Sequence, residues 1–125
     1  PAALRSMGLR NVQRTSQKPL LAPFEKASRT LIHHNPAAGI RFMARGVAAL
    51  YRDCGTFEVR NRPAPFPELV WCQPPTEAFS SSFVEPFAGG FEYFFEVLRS
   101  SGRVDASVDE KIGEIRFRFR PLGRL

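Results

Sequence analysis

The stretch from Phe83 to Ser101 carries apolar residues at steps of three and four positions. This spacing places them along one side of a helix, which is typical of a helix that lies on a hydrophobic core. Gly102 follows at a position where helices commonly end. The spacing therefore predicts a central helix over 83–101, whose apolar side consists of Val84, Phe87, Ala88, Phe91, Phe94, Phe95 and Leu98.

Two adjacent glycines, Gly89 and Gly90, interrupt this predicted helix. In a helix interior the pair costs about 2 kcal/mol relative to alanine, so a compensating contact is expected. We expect the close approach of another backbone at this point, either from a second helix or from a partner protomer in a homodimer. A kink that opens a pocket is the alternative explanation.

The chain of 125 residues is long enough for one domain with one core. Residues 1–21 are basic and contain few large apolar side chains, so they predict a connector or a partial helix before a single domain over 22–125. A hydrophobic content of 43%, with 12 phenylalanines, favours a folded chain with an apolar interior. No apolar run in the sequence approaches the roughly 20 residues that a membrane span needs.

Helical and strand patterns occur on both sides of the central helix. Two helices are predicted over 22–34 and 36–53, with Asn35 as N-cap and Pro36 in the first turn. Alternating apolar residues predict strands over 56–62, 68–73, 103–108 and 112–120. Short connections make antiparallel hairpins of the first two and of the last two strands. The order ααββαββ predicts an α+β fold with helices on one face of a four-stranded antiparallel sheet.

The sequence offers no combination of residues typical of catalysis. Cys54 and Cys72 are the only cysteines, without a CxxC or histidine-rich pattern, so two free buried thiols are expected rather than a disulfide or a metal site. The expected location is cytoplasmic. Glu92 and Glu96 lie one helical turn apart, but without a matching histidine or carboxylate pair they predict a solvated helix face. Neither a catalytic site nor a metal or cofactor is predicted, and a small enzyme with an apolar pocket is the least favoured hypothesis.

The aromatic side of the central helix allows two interpretations. By default it forms a filled core together with the preceding helix and the second strand. Alternatively, the same side chains line a cavity for a small apolar ligand, because ligand pockets are mostly apolar and aromatic. The residues concerned in both cases are Met43, Val47, Tyr51, Trp71, Phe87, Phe91 and Phe94.

A net charge of +6 and the arginines of the strands indicate a basic surface. Arginines alternate with aromatic residues in the last strand, so they are expected on the exposed face of the sheet, opposite to the core. Such a face suits an anionic partner, either nucleic acid or an acidic protein. Nucleic acid is the weaker choice, because bases stack on exposed aromatic rings and these rings point to the core. The predicted basic face consists of Arg60, Arg62, Arg116, Arg118 and Arg120.

Residues 51–59, with the sequence YRDCGTFEV, stand where the second helix passes into the first strand. This segment resembles a junction in vinyl-reductase-type domains and in a related myxobacterial paralogous family. The predicted helix over 83–102 and the strand over 103–108 are similar to the elements that follow in those families, and the similarity covers residues 24–121. The resemblance implies the fold of the TRAPP vesicle-tethering subunits. It also implies a bacterial domain that senses small apolar ligands or binds other proteins.

One departure from that pattern limits what the resemblance implies. Vinyl-reductase-type domains commonly carry zinc-binding cysteines in the last hairpin, whereas residues 103–120 contain neither cysteine nor histidine, so zinc is not expected. Haem is not expected either, because His33 and His34 stand at a predicted helix end that faces solvent. The leading hypothesis is a non-catalytic bacterial sensory or protein-interaction domain. The alternative is a basic module that binds an anionic partner through its Arg-rich sheet face.

Overall fold

The computed structural model describes residues 2–16 and 22–122. Three helices come first, namely α1 (Ala2–Ser16), α2 (Ala22–His34) and α3 (Pro36–Leu50). Two strands follow, β1 (Thr56–Arg60) and β2 (Glu68–Cys72), and a 3₁₀ turn at Thr76–Phe79 leads to α4 (Ser81–Phe91) and α5 (Tyr93–Leu98). The last two elements are β3 (Gly102–Asp109) and β4 (Glu114–Pro121).

The strands form one four-stranded antiparallel sheet in the order β1–β2–β4–β3. Its register aligns Phe57, Trp71, Ile115 and Val108 in one row across the face that the helices cover. The next row begins with Val59 and continues across β2, β4 and β3 in the same way. The predicted α+β class and the predicted four-stranded antiparallel sheet are therefore confirmed.

The helical hairpin of α2 and α3 begins and turns where the sequence predicts it. Asn35 has an extended backbone with φ of −150°, and its side-chain oxygen accepts a hydrogen bond from the N–H of Ala38. Pro36 follows in the first turn of α3, where its missing N–H costs nothing. α3 ends at Leu50, three residues before the predicted end, and Gly55 with φ of +87° then turns the chain into β1.

The predicted central helix is two helices, which is a correction to the sequence-based boundaries. Glu92 separates α4 from α5, and its N–H donates to the carbonyl oxygens of both Ala88 and Gly89 at 3.2 Å. The break directly follows Gly89 and Gly90, which have the weakest helical preference in the segment apart from proline. Phe87 and Phe91 of α4 and Phe94 of α5 still face the sheet.

α1 is a helix of 15 residues that packs closely against α4, and it is longer than the short helix that the sequence suggests for residues 1–9. Gly8 lies against the backbone of Pro86, and Gly89 lies against the backbone of Arg5. A Cβ atom on either glycine would overlap with a carbonyl oxygen of the opposite helix. The predicted connector over 1–21 thus contains a packed helix, while residues 1 and 17–21 lie outside the described part of the chain.

Phenylalanine rings fill the core between the sheet and the pair α4–α5. Phe91 meets Phe117 edge to face with ring centroids 5.0 Å apart, and Phe94 meets Phe119 in the same way at 5.2 Å. Phe66, from the loop between β1 and β2, adds a third edge-to-face contact to Phe94 at 5.1 Å. Such pairs stabilise a core beyond the area that they bury.

Candidate interaction surface

Three of the predicted pocket residues meet where α3 ends. The ring of Trp71 lies 4.8 Å from that of Phe87 and 6.4 Å from that of Tyr51, measured between centroids. Phe57 stacks on the opposite side of Trp71 at 5.0 Å, and the Trp71 Nε1 donates to the carbonyl oxygen of Cys54 at 2.6 Å. Because these rings contact one another, their packing favours the filled core over a ligand cavity between them.

The other four predicted pocket residues lie deeper in the domain or on α3, and the Phe91 ring adjoins that of Phe87 with centroids 6.1 Å apart. Phe91 and Phe94 are buried in the central phenylalanine core under α4 and α5. Met43 and Val47 are half-buried on α3 and pack against that core from the side. The structure therefore joins Tyr51, Trp71, Phe87 and Phe91 in one series of ring contacts and places the other three pocket residues elsewhere in the domain.

An open cleft of about 290 Å³ lies between α1, the start of β3 and the end of β4. Its lining is mostly charged or exposed and includes Arg5, Leu9, Glu92, Arg103 and Leu122. None of the predicted pocket residues lines this cleft. The cleft therefore differs from the expected aromatic cavity both in its position and in its chemistry.

Arg5 in the wall of this cleft joins α1 to α4 and β3. Its Nε donates to Glu85 Oε2 at 2.5 Å, and its Nη1 donates to Glu92 Oε2 at 3.2 Å. The same Nη1 donates to the carbonyl oxygen of Val104 at 2.7 Å, and Glu92 Oε2 accepts the Val104 N–H at 3.0 Å. The prediction of a solvated Glu92 is therefore wrong, because α1 brings a guanidinium over it.

This network caps the free edge of the sheet. Both backbone groups of Val104 point away from β4 and are satisfied by side chains, so no further strand can pair with β3 at this residue. Only 13% of the Arg5 side chain is exposed, and partial exclusion of water strengthens its ion pairs. The Arg5 network thus serves the fold and provides no reactive group.

All arginines of the predicted basic face have a carboxylate within 4 Å. The exposed fraction of their side chains ranges from 33% to 54%, which agrees with their alternation along the strands. Their partners are four acidic residues of the same sheet face, so each arginine is already engaged. The pairs are Arg60–Glu58, Arg60–Glu114, Arg62–Glu68, Arg116–Glu114, Arg118–Glu68 and Arg120–Asp105.

These ion pairs set the protonation of the sheet face. The hydrogen bond from Arg60, assisted by that from Arg116, holds the pKa of the Glu114 carboxyl below its ordinary value. The hydrogen bond from Arg120 lowers the pKa of the Asp105 carboxyl in the same way. Burial raises the pKa of the Cys72 thiol, which makes it a poorer nucleophile at neutral pH. The carboxylates of this face are therefore held in their ionised form by the arginines with which they are paired.

Exposed apolar side chains lie at the end of α3 and in the first turn of α4. Leu50 is 66% exposed, Tyr51 is 41% exposed and Phe83 is 47% exposed. The Tyr51 ring lies 5.1 Å from half-buried Phe87, and Phe83 precedes Phe87 by one turn on the same side of α4. We call Leu50, Tyr51, Phe83 and Phe87 the junction patch. Leu50 is the last residue of α3, and its side chain is exposed to solvent.

A second row of arginines lies on α3 and just beyond it. Arg41, Arg45 and Arg52 are exposed, and Arg41 donates to the Asn61 side chain at 3.3 Å. Among the side chains that the structure describes, which leave out those of residues 11–16 and 22–25, no carboxylate lies within 4 Å of Arg45 or Arg52. Arg45 on α3 and Arg52 beyond its end are therefore exposed cations without a carboxylate partner among the described side chains.

No family model, no curated protein and no solved structure matches this chain. In the part of the chain that the structure describes, no helix combines the length and the apolar character needed to cross a membrane. Among the same residues, no group of three or more histidine, cysteine or acidic side chains is placed to hold a metal ion. Function is therefore inferred from the surfaces of the chain itself.

Proposed function

We propose that this chain is a non-catalytic protein-interaction domain that binds its partner through the junction patch. The observation that carries the proposal is the exposure of Leu50, Tyr51 and Phe83, of which Tyr51 packs against the rings of Trp71 and Phe87. Single exposed apolar residues are normal on a protein surface, whereas contiguous ones commonly mark a binding site. Aromatic residues are also over-represented among those that dominate binding energy.

A rigid base supports the junction patch. Trp71 is 2% exposed, stacks on Phe57 and is fixed by its hydrogen bond to the Cys54 carbonyl oxygen. Tyr51 and Phe87 pack on this indole, so little conformational freedom remains for them to lose when a partner binds. Preorganisation of this kind increases affinity, because less entropy is lost on association.

The same ring contacts make an apolar ligand between these residues a weaker proposal. A ligand of useful size needs a cavity of several hundred Å³. The Trp71 and Phe87 centroids are only 4.8 Å apart, and the Tyr51 and Phe87 centroids are 5.1 Å apart. Binding there requires these aromatic contacts to separate, whereas a protein partner uses the patch as it stands.

Substitution of single apolar residues tests the proposal. The variants Leu50→Ser and Phe83→Ser change the junction patch, and Leu122→Ser is a matched control because Leu122 is 55% exposed on a different surface. Each immobilised protein is incubated with lysate from cells that naturally contain it, and retained proteins are quantified by mass spectrometry. We expect a protein that the wild type and Leu122→Ser retain and both patch variants lose. Equal retention by all four chains would contradict the proposal.

A further inference from the structure

We infer that two copies of this chain form a dimer by pairing their β1 strands, so that one antiparallel sheet continues from copy to copy. β1 (Thr56–Arg60) is an edge strand, because it is bonded to β2 on one side only. A strand at the edge of a sheet presents a row of N–H and C=O groups that can pair with another strand. The inference concerns this edge and does not depend on the junction patch.

The direction of the backbone groups in β1 follows from the alternation of an antiparallel ladder. At the opposite edge of the sheet, the N–H and C=O of Val104 are bonded to the side chains of Glu92 and Arg5, so they point away from β4. Along an antiparallel strand, residues whose backbone groups point to the neighbouring strand alternate with residues whose groups point away from it. Carried through the register from β3 to β1, this alternation turns the N–H and C=O of Phe57 and Val59 away from β2.

The outer edge of β1 is open. Among the residues that the structure describes, no hydrogen bond engages the N–H or C=O of Phe57 or Val59. Their side chains are only half-buried, whereas the side chains beside them on β2 are enclosed, with Leu69 at 0% and Trp71 at 2% exposed. A further strand next to β1 would therefore bond its free backbone groups and also cover its apolar side chains.

The charges of β1 favour a second copy of the same strand. In a two-fold pair centred on Val59, the Val59 residues of the two copies exchange both N–H···O bonds, because their backbone groups point outward. Glu58 of each copy then lies directly opposite Arg60 of the other copy, on the outer face of the sheet. Opposite charges in such cross-strand positions stabilise a sheet. The sequence of β1 is therefore complementary to itself in this register.

The other two-fold registers of β1 are less favourable. A pair centred on Glu58 sets two carboxylates opposite each other, which destabilises the pairing. A pair centred on Phe57 brings Val59 opposite Gly55, whose φ of +87° is not that of a strand. In the favoured register, Glu58 is 49% exposed and its Oε2 accepts no hydrogen bond among the described residues. This oxygen can accept from the second guanidinium while the pairs within each copy persist.

Amide hydrogen exchange of the wild-type chain tests the inference without any variant. The Val59 N–H should exchange more slowly as protein concentration rises, because the second strand bonds it. The Ala106 N–H is the internal reference, since it points outward at the β3 edge, and its exchange should not depend on concentration. Sedimentation equilibrium over the same concentrations should show conversion from monomer to dimer.

Proline variants test the edge. Val59→Pro removes the outward N–H and leaves the ladder to β2 in place, because proline is tolerated where the N–H of an edge strand faces solvent. The dissociation constant of the dimer should rise at least about tenfold, since the hydrogen bond is lost twice in a symmetric pair. The matched control, Ala106→Pro, removes the equivalent N–H from β3 and should leave this constant within about twofold. Circular dichroism verifies the fold of each variant.

A charge reversal tests the register. Glu58→Arg sets arginines opposite each other and should raise the dissociation constant roughly tenfold. Glu110→Arg makes the same change of charge at an exposed residue in the turn between β3 and β4, and it should leave the constant within about twofold.

Four results would overturn the inference. The first is a monomer at every concentration, with exchange of the Val59 N–H that stays constant. The second is a dimer that protects the Ala106 N–H and leaves the Val59 N–H unprotected. The third is an equal effect of the two substitutions in either matched pair of variants. The fourth is protection of the Val59 N–H only after lysate proteins are added, which would assign this edge to a strand of another protein.

Discussion

Gly89 determines how closely α1 approaches α4. In an open helix, replacing glycine with alanine stabilises by up to about 1 kcal/mol. Here the new methyl group would overlap with the carbonyl oxygen of Arg5, and in Gly8→Ala with that of Pro86. We therefore predict that Gly89→Ala and Gly8→Ala each lower the free energy of unfolding in urea by about 1–3 kcal/mol. Greater stability in both variants would show that α1 does not pack here.

Glu114 makes the stability of the sheet dependent on pH. Because Arg60 lowers its pKa in the folded state, Glu114 contributes stability above its unfolded pKa, and this contribution is lost as pH falls through the folded pKa. Asp105 acts in the same direction through Arg120. We predict that the wild type exceeds Glu114→Gln in unfolding free energy at pH 7, and that the difference shrinks below about pH 4. A difference that stays constant between pH 7 and pH 3 would contradict this role.

Residue roles could be predicted where their causes are local in the chain. Asn35 and Pro36 begin α3 as expected, because a cap depends on the next three residues. The exposure of Arg118 followed from the two-residue period of β4, but its pairing with Glu68 depends on strand register. The role of Glu92 could not be predicted, since its partner Arg5 is 87 residues away in the chain.

At the scale of elements, the sequence predicted helices and strands better than their ends. The periods of α2, β2 and β4 are uninterrupted, and these elements lie within two residues of the predicted bounds. The length of α1 was underestimated because its packing depends on small residues. Gly8 of α1 contacts the Pro86 backbone of α4, and such a contact leaves no pattern of large apolar residues in the sequence. The break between α4 and α5 was missed because the three- and four-residue spacing of apolar side chains continues past Glu92. The helical backbone is nevertheless interrupted at that residue.

Arg5 links α1, α4 and β3, so its loss should affect more than one element. We predict that Arg5→Ala lowers the free energy of unfolding by about 2–3 kcal/mol, since it removes the guanidinium that donates to partly buried Glu85 and Glu92 and to the Val104 carbonyl oxygen. Exchange of the Val104 amide hydrogen, measured by NMR, should accelerate because Glu92 is no longer held in place. Arg10→Ala is the control, because Arg10 is exposed on the same helix. Equal effects of the two substitutions would argue against the capped edge.

At the scale of the whole molecule, the outer face of the sheet and the end of α3 differ in whether their charged groups are paired. The arginines of the sheet face are paired with Glu58, Glu68, Asp105 and Glu114. The junction patch instead exposes apolar side chains to solvent, and Arg45 and Arg52 are exposed without a carboxylate within 4 Å among the described side chains. The alternation of residues along the strands predicts the exposed sheet face directly. The junction patch is harder to predict, because it depends on where α3 ends and where α4 begins.

Site-specific photo-crosslinking tests the central claim most directly. p-Benzoylphenylalanine replaces Phe83 in one chain and Leu122 in another, and both chains are irradiated in cells that naturally contain the protein. Both positions are about half exposed, at 47% and 55%, so the comparison separates a binding surface from mere exposure. The interaction function predicts a discrete protein adduct from position 83 and none from position 122. The same adducts from both positions, or none from position 83, would contradict it.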